Sequence, residues 1–108
     1  MKLINNIEIN NSAIGANIKK LISQIYKLLP NREENIDWQT PLTTIVEELA
    51  GMCVLLPQYH STVFALLCKL EGLHTLTSEK DFFLYRRTIF ECLNILASLK
   101  EEVEKCQD

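Results

Sequence analysis

The stretch Phe82-Phe83-Leu84-Tyr85-Arg86-Arg87-Thr88-Ile89-Phe90-Glu91-Cys92-Leu93-Asn94-Ile95-Leu96 decides the fold class. Its large apolar residues recur at three- and four-residue steps, the spacing of one side of a helix rather than the alternation of a strand. Phe82, Ile89, Phe90, Leu93 and Leu96 trace that side, with Arg86 among them. On this reading the Arg86 guanidinium points toward the core and requires a partner, since an unpaired charge in an apolar interior is costly. A partly buried ion pair with Glu47, Glu48 or Asp37 would satisfy it. So would a face built to receive another molecule, where arginine is enriched.

On the opposite side of the same helix, Leu84 and Ile95 stand eleven residues apart and so nearly align, together with Thr88 and Glu91. Two aliphatic groups on a nominally polar face form the edge of a candidate docking surface, and Val54 and Leu55 break the amphipathic pattern of an earlier helix in the same way. These residues, with Arg86 and Arg87, are the candidate partner-binding set.

Working outward, Ser78 followed by Asp81 resembles a capping box and starts this helix, which the pattern carries to about Lys105. The charged segment 100–108 is expected to project beyond the core as a tail. Upstream, Val63, Phe64, Ala65, Leu66, Leu67, Cys68 and Leu70 leave almost no polar side, the pattern of a buried central helix. His60 or Ser61 is placed to start it, and Gly72 to cap its end. Before it, Leu42, Ile45, Val46, Leu49, Met52, Cys53 and Leu56 form one face of a helix opened by Thr40 and Pro41 and closed by Pro57. Ile14, Ile18, Leu21, Ile25 and Leu28 make the first stripe, capped by Asn11 or Ser12 and stopped by Pro30, with residues 31–39 a polar loop pinned by Trp38. Residues 1–11 read as an extended arm or a short helix.

The fold class expected is therefore all-α: a compact antiparallel four-helix bundle, approximately 12–29, 41–56, 61–71 and 78–105, with a buried third helix and a long C-terminal one. A length of 108 residues fits a single domain, and three Gly and three Pro leave little punctuation for a many-stranded fold. The longest apolar run, from Leu42 to Leu56, contains Glu47 and Glu48, so membrane insertion is not expected. The first residues lack the continuous apolar region of a signal peptide, which predicts a cytoplasmic protein or one delivered without a classical signal.

Chemistry is sparse. His60 and His74 form no metal spacing with a cysteine, so neither metal nor other cofactor is expected. Cys53, Cys68, Cys92 and Cys106 lie at long, irregular intervals within helical patterns and read as reduced packing residues. Glu47 and Glu48 are neighbours about 100° apart on a helix and belong to a solvated face rather than an acid–base pair. No glycine-rich phosphate loop is present, and a formal charge of −3 opposes a sequence-independent grip on nucleic acid.

The function these features favour is a non-enzymatic protein-interaction module, an adaptor, chaperone-type subunit or inhibitor, that docks on a protein partner and can also self-associate. The alternatives are a small nucleic-acid-binding regulator using Arg86, Arg87 and Lys80, and an enzyme whose residues converge only in space.

Overall fold

In the computed structural model, which describes the backbone of residues 2–105 and the side chains of residues 13–105, every regular element is helical. The chain forms α1 (Lys2–Tyr26), α2 (Leu28–Glu33), α3 (Gln39–Leu55), α4 (His60–Leu73) and α5 (Phe82–Lys105), with single 3-10 turns at Pro57–Tyr59 and Glu79–Asp81. The expected all-α bundle is the architecture found. The stretch read as an extended arm or a short helix is the beginning of α1, so Asn11 and Ser12 lie inside the helix rather than at its cap.

Helix α1 buries the stripe anticipated for it, Ile14, Ile18, Leu21 and Ile25, and the chain continues in phase into α2 through Leu28. Lys27 breaks the two as a single turn residue, its N–H still bonded to the Ser23 carbonyl at 3.2 Å. Pro30 does not stop the helix. It occupies the first turn of α2, where no intrahelical N–H partner is needed. The stop comes at Asn35, whose φ of 59° is left-handed. Ile36 N–H reaches the Asn31 carbonyl at 2.7 Å and Asn35 N–H the Arg32 carbonyl at 3.2 Å, the paired bonds of a Schellman ending with Asn in the place Gly usually takes. The stretch read as a loop is therefore half helix.

Helix α3 begins at Gln39, two residues before the expected first helical residue, Pro41. The Asp37 carboxylate accepts from the Gln39 and Thr40 backbone N–H groups at 3.0 and 3.2 Å and so caps the helix. Its buried face, Leu42, Ile45, Leu49 and Met52, followed by Leu56, is the one the spacing predicts. The chain then bends by 113° at Leu56, between α3 and the Pro57–Leu73 arm that contains the 3-10 turn and α4.

Helix α4 corrects the sequence reading. It is not buried all round: only Val63, Leu66, Leu70 and Leu73 are, while Phe64, Ala65 and Cys68 face outward. A run of apolar residues reports composition, whereas a four-helix bundle offers each member only the inward part of its circumference. Gly72 sits within the helix with no positive φ, and the Thr75 hydroxyl donates to its carbonyl at 2.8 Å.

Helix α5 buries Tyr85, Ile89, Cys92, Leu96, Leu99 and Val103, a stripe turned by one position from the expected one. Arg86 is consequently exposed, and no carboxylate pairs with it among the described residues. Instead its guanidinium carbon lies 5.2 Å from the centre of the Phe90 ring. Counting in 3.6-residue turns from Tyr85 keeps six residues in register over five turns, while a stripe begun at Phe82 drifts onto Phe90. Val103 is buried as well, so the charged segment does not leave the core at Lys100; Lys100 and Glu104 close an ion pair at 2.8 Å on the surface of the same packed turn. Residues 106–108, including Cys106, lie outside the described residues.

The helices close a ring in which α5 packs along α1 and on α4, α4 on α3, and α3 back on α1. A Cβ at Gly15 would sit 3.4 Å from Glu104, and Arg32 beyond the other end of α1 meets Tyr85 near the start of α5. The two long helices therefore run antiparallel. Among the described residues no single helix is long and apolar enough to cross a membrane; the bent pair Gln39–Leu55 and Pro57–Leu73 has the length and composition jointly, and its buried face is the bundle core.

Of the three described cysteines, all free thiols, Cys92 is buried, Cys53 half-buried and Cys68 exposed. Burial pushes the Cys92 thiol up to about 12 and keeps it protonated, with nearby Lys69 opposing weakly. Cys92→Ser is expected to lower unfolding stability by about 1–3 kcal/mol through an imperfectly bonded hydroxyl. Cys68→Ser should change it by less than about 0.5 kcal/mol, and urea titration of the two variants decides whether the burial order is right.

Candidate interaction surface

The end of the bundle where α2, α3 and α5 meet is organised by Arg32. Its Nη2 donates to two carbonyls of the α4–α5 connection, Leu76 and Ser78, each at 2.9 Å. Both carbonyls belong to residues outside any regular helix: the guanidinium gives the Leu76 carbonyl a donor, and it joins the Asp81 N–H, at 3.0 Å, on the Ser78 carbonyl. The same guanidinium carbon lies 4.5 Å from the ring centre of Tyr85, 5.3 Å from Phe82 and 5.7 Å from Trp38. These are cation–π distances. Trp38 and Tyr85 meet edge to face at 5.0 Å and 74°, which seats the Trp38 ring against the core as expected. His74 Nδ1 and Gln39 Oε1 stand 2.6 Å apart, tying the end of α4 to the start of α3 beside this cluster.

Around it opens a cleft of about 640 Å³. Trp38, Phe82 and Ile36 give it apolar walls, and Glu33, Asp37 and Glu79 an acidic rim around Arg32. Glu33 and Glu79 form no ion pair among the described residues. Hydrogen bonds from Thr40, and less so from Gln39, hold the Asp37 carboxyl below the usual carboxylate range. Beneath the aromatic cluster Tyr85 is wholly buried, and its hydroxyl has no hydrogen-bond partner among the described residues. Desolvation pushes that phenol up to about 12, Arg32 pulling weakly the other way.

Beside the cleft, α5 turns a second surface outward. Phe83, Arg86, Arg87 and Phe90 follow the i, i+3, i+4, i+7 rule and lie opposite the buried stripe. Phe83 is 81% exposed and Phe90 39%. Arg87 Nε is 3.7 Å from Glu91, whereas Arg86 lies over the Phe90 ring and has no ion pair among the described residues.

The residues singled out from sequence fall on three places. Arg86 and Arg87 belong to this outer stripe. Leu84, Thr88, Glu91 and Ile95 do align, but along the seam with α4: Glu91 bonds Lys69 of α4 at 3.4 Å, Ile95 packs against the core, and Leu84 alone is largely exposed. Val54 and Leu55 protrude at the α3–α4 corner, 81% and 68% exposed, where His60 also stacks on an exposed Phe64. The ion pair expected between Arg86 and Glu47, Glu48 or Asp37 is absent among the described residues, because the rotated stripe points Arg86 away from α3.

Sequence reading passed over Arg32 altogether. Its signal was faint: a cation between Asn31 and Glu33 reads as surface until the fold folds back the α4–α5 connection over it. No group of three or more His, Cys, Asp or Glu among the described residues is arranged to hold a metal ion. Comparison with protein-family models, curated proteins and solved structures finds no match to this chain.

Removing the Tyr85 hydroxyl relieves a buried polar group of an unmade bond, so Tyr85→Phe is expected to leave stability unchanged or raise it by up to about 1 kcal/mol. Arg32→Ala takes from the Leu76 carbonyl its donor, from the Ser78 carbonyl one of two and from the rings their cation, and should cost about 2 kcal/mol. Thermal and urea unfolding of both variants check the pair, and a loss at Tyr85→Phe exceeding that at Arg32→Ala would contradict the assigned roles.

Proposed function

We propose that this chain is a non-enzymatic protein-interaction module, of the adaptor, chaperone-type subunit or inhibitor kind, which engages a protein partner through the outer face of α5. The observation that carries the reading is Phe83, a large aromatic 81% exposed on a well-formed helix, in line with Arg86, Arg87 and Phe90. Exposing such a ring forfeits the stabilisation that burying 150–250 Å² of aromatic surface brings, and aromatic residues with arginine are the side chains that dominate binding energy at interfaces. The stripe also sits on a rigid support, since the other side of the same turns is locked by Tyr85 and Ile89. A surface held in place before binding loses little entropy on docking.

The partner surface this favours is apolar with acidic flanks, to meet two phenylalanines bracketing two arginines. A tagged chain used to capture partners from its native host provides the test. Phe83→Asp should leave the far-ultraviolet circular dichroism spectrum unchanged and release the captured protein, with binding weakened roughly thirtyfold or more, as for a hot-spot aromatic. Equal retention by both chains would sink the reading.

A further inference from the structure

We infer that the occupant of this α5 face is a second copy of the chain, in a two-fold dimer where each copy sets its Phe83–Arg86 stripe into the acidic aromatic cleft of the other. The inference rests on the α5 outer face being an interaction surface, and it names the partner.

The chain carries both halves of a complementary pair. One half is cationic and aromatic: Phe83, Phe90 and Arg86, whose guanidinium has no carboxylate partner among the described residues. The other is anionic and aromatic: the 640 Å³ cleft walled by Trp38, Phe82 and Ile36, with Glu33 and Glu79 on its rim and likewise unpaired among the described residues. Ile36, at 50% exposure, gives the cleft an apolar lip for an incoming ring.

The two halves adjoin. Phe82 lines the cleft and Phe83 begins the stripe, their rings 6.5 Å apart and inclined at 61°. A two-fold axis passing near that boundary brings the stripe of each copy onto the cleft of the other, so one complementarity is used twice and the contact closes as a dimer. Were the halves on opposite ends of the bundle, the same pairing would run head to tail and grow into a ring or an open chain. Local pairing of unlike charge also fixes the register of the two copies.

Sedimentation velocity on the full chain from micromolar to millimolar concentration tests this. The expected result is a concentration-dependent rise from the 12.4 kDa monomer to twice that mass. Arg86→Glu, and separately Glu33→Lys/Glu79→Lys, should each raise the dimer dissociation constant at least tenfold, because each sets like charges across both contacts. Mixing these two variants in equal amounts should restore dimers. In the mixed pair one contact is native and the other has its charges exchanged, so recovery also shows that both variants are folded. A wild-type chain that stays monomeric throughout overturns the inference, as does a mixture that fails to recover or a dimer that ignores both variants. If the chain is monomeric while Phe83→Asp still releases a captured protein, only the second-copy assignment falls and the α5 face keeps its role.

Discussion

The Arg32 guanidinium is the interaction on which one whole end of this bundle depends. It is a cation placed among three aromatic rings, and among the described residues no carboxylate is paired with it; two backbone carbonyls accept its hydrogen bonds and the rings present their negative faces. The connection between α4 and α5 has only local, single-turn backbone hydrogen bonds, from His74, Thr75, Leu76 and Asp81, and α2 is only six residues long. Through Arg32 each becomes the other's support, and the cleft, the start of α3 and the first turn of α5 take their places around it.

The rest of the molecule is held by a less local constraint, the long seam between α1 and α5. Ile14, Ile18, Leu21 and Ile25 on one side face Tyr85 through Val103 on the other, and at about 25 cal/mol per Å² such burial dominates the favourable side of folding. Exposed ion pairs such as Lys69–Glu91 and Arg87–Glu91 add little to this and serve more to align the α4–α5 seam. Tyr85 joins the two constraints. Its ring is the first member of the α5 stripe and the closest face beneath Arg32, and it places at that junction a buried hydroxyl with no hydrogen-bond partner among the described residues.

That junction explains why the outer face of α5 is presented so firmly. A helix whose inner side is clamped at its first turn cannot roll to hide Phe83, because turning it inward would expose Tyr85 and separate Arg32 from its rings. The exposed aromatic is thus a consequence of the same packing that builds the cleft. Two surfaces of opposite charge come to lie side by side at one end of the bundle while the net charge of the chain stays modestly negative.

The helical class, the inward faces of α1 and α3 and the span of α5 were legible in the sequence, because the 3.6-residue period is written in local spacing and needs no knowledge of neighbours. The candidate residues were legible only in part: Val54, Leu55, Arg86 and Arg87 do stand at the surface, but Arg86 was read as facing inward. A stripe that mixes Phe82, Tyr85, Phe90 and Leu93 has more apolar residues than one face can hold, and which of them turn inward depends on where α1 and α4 lie. Likewise the uniform apolarity of 63–70 could not show which side would be covered. Arg32 and Asn35 carry their roles through partners up to 46 residues away or through a backbone φ, neither of which local pattern records, whereas the Asp37 cap serves residues two and three positions on. Periodicity alone determined the elements; their rotation, and with it the surface, was decided by tertiary packing, since burial energy depends on what a side chain meets rather than on what it is.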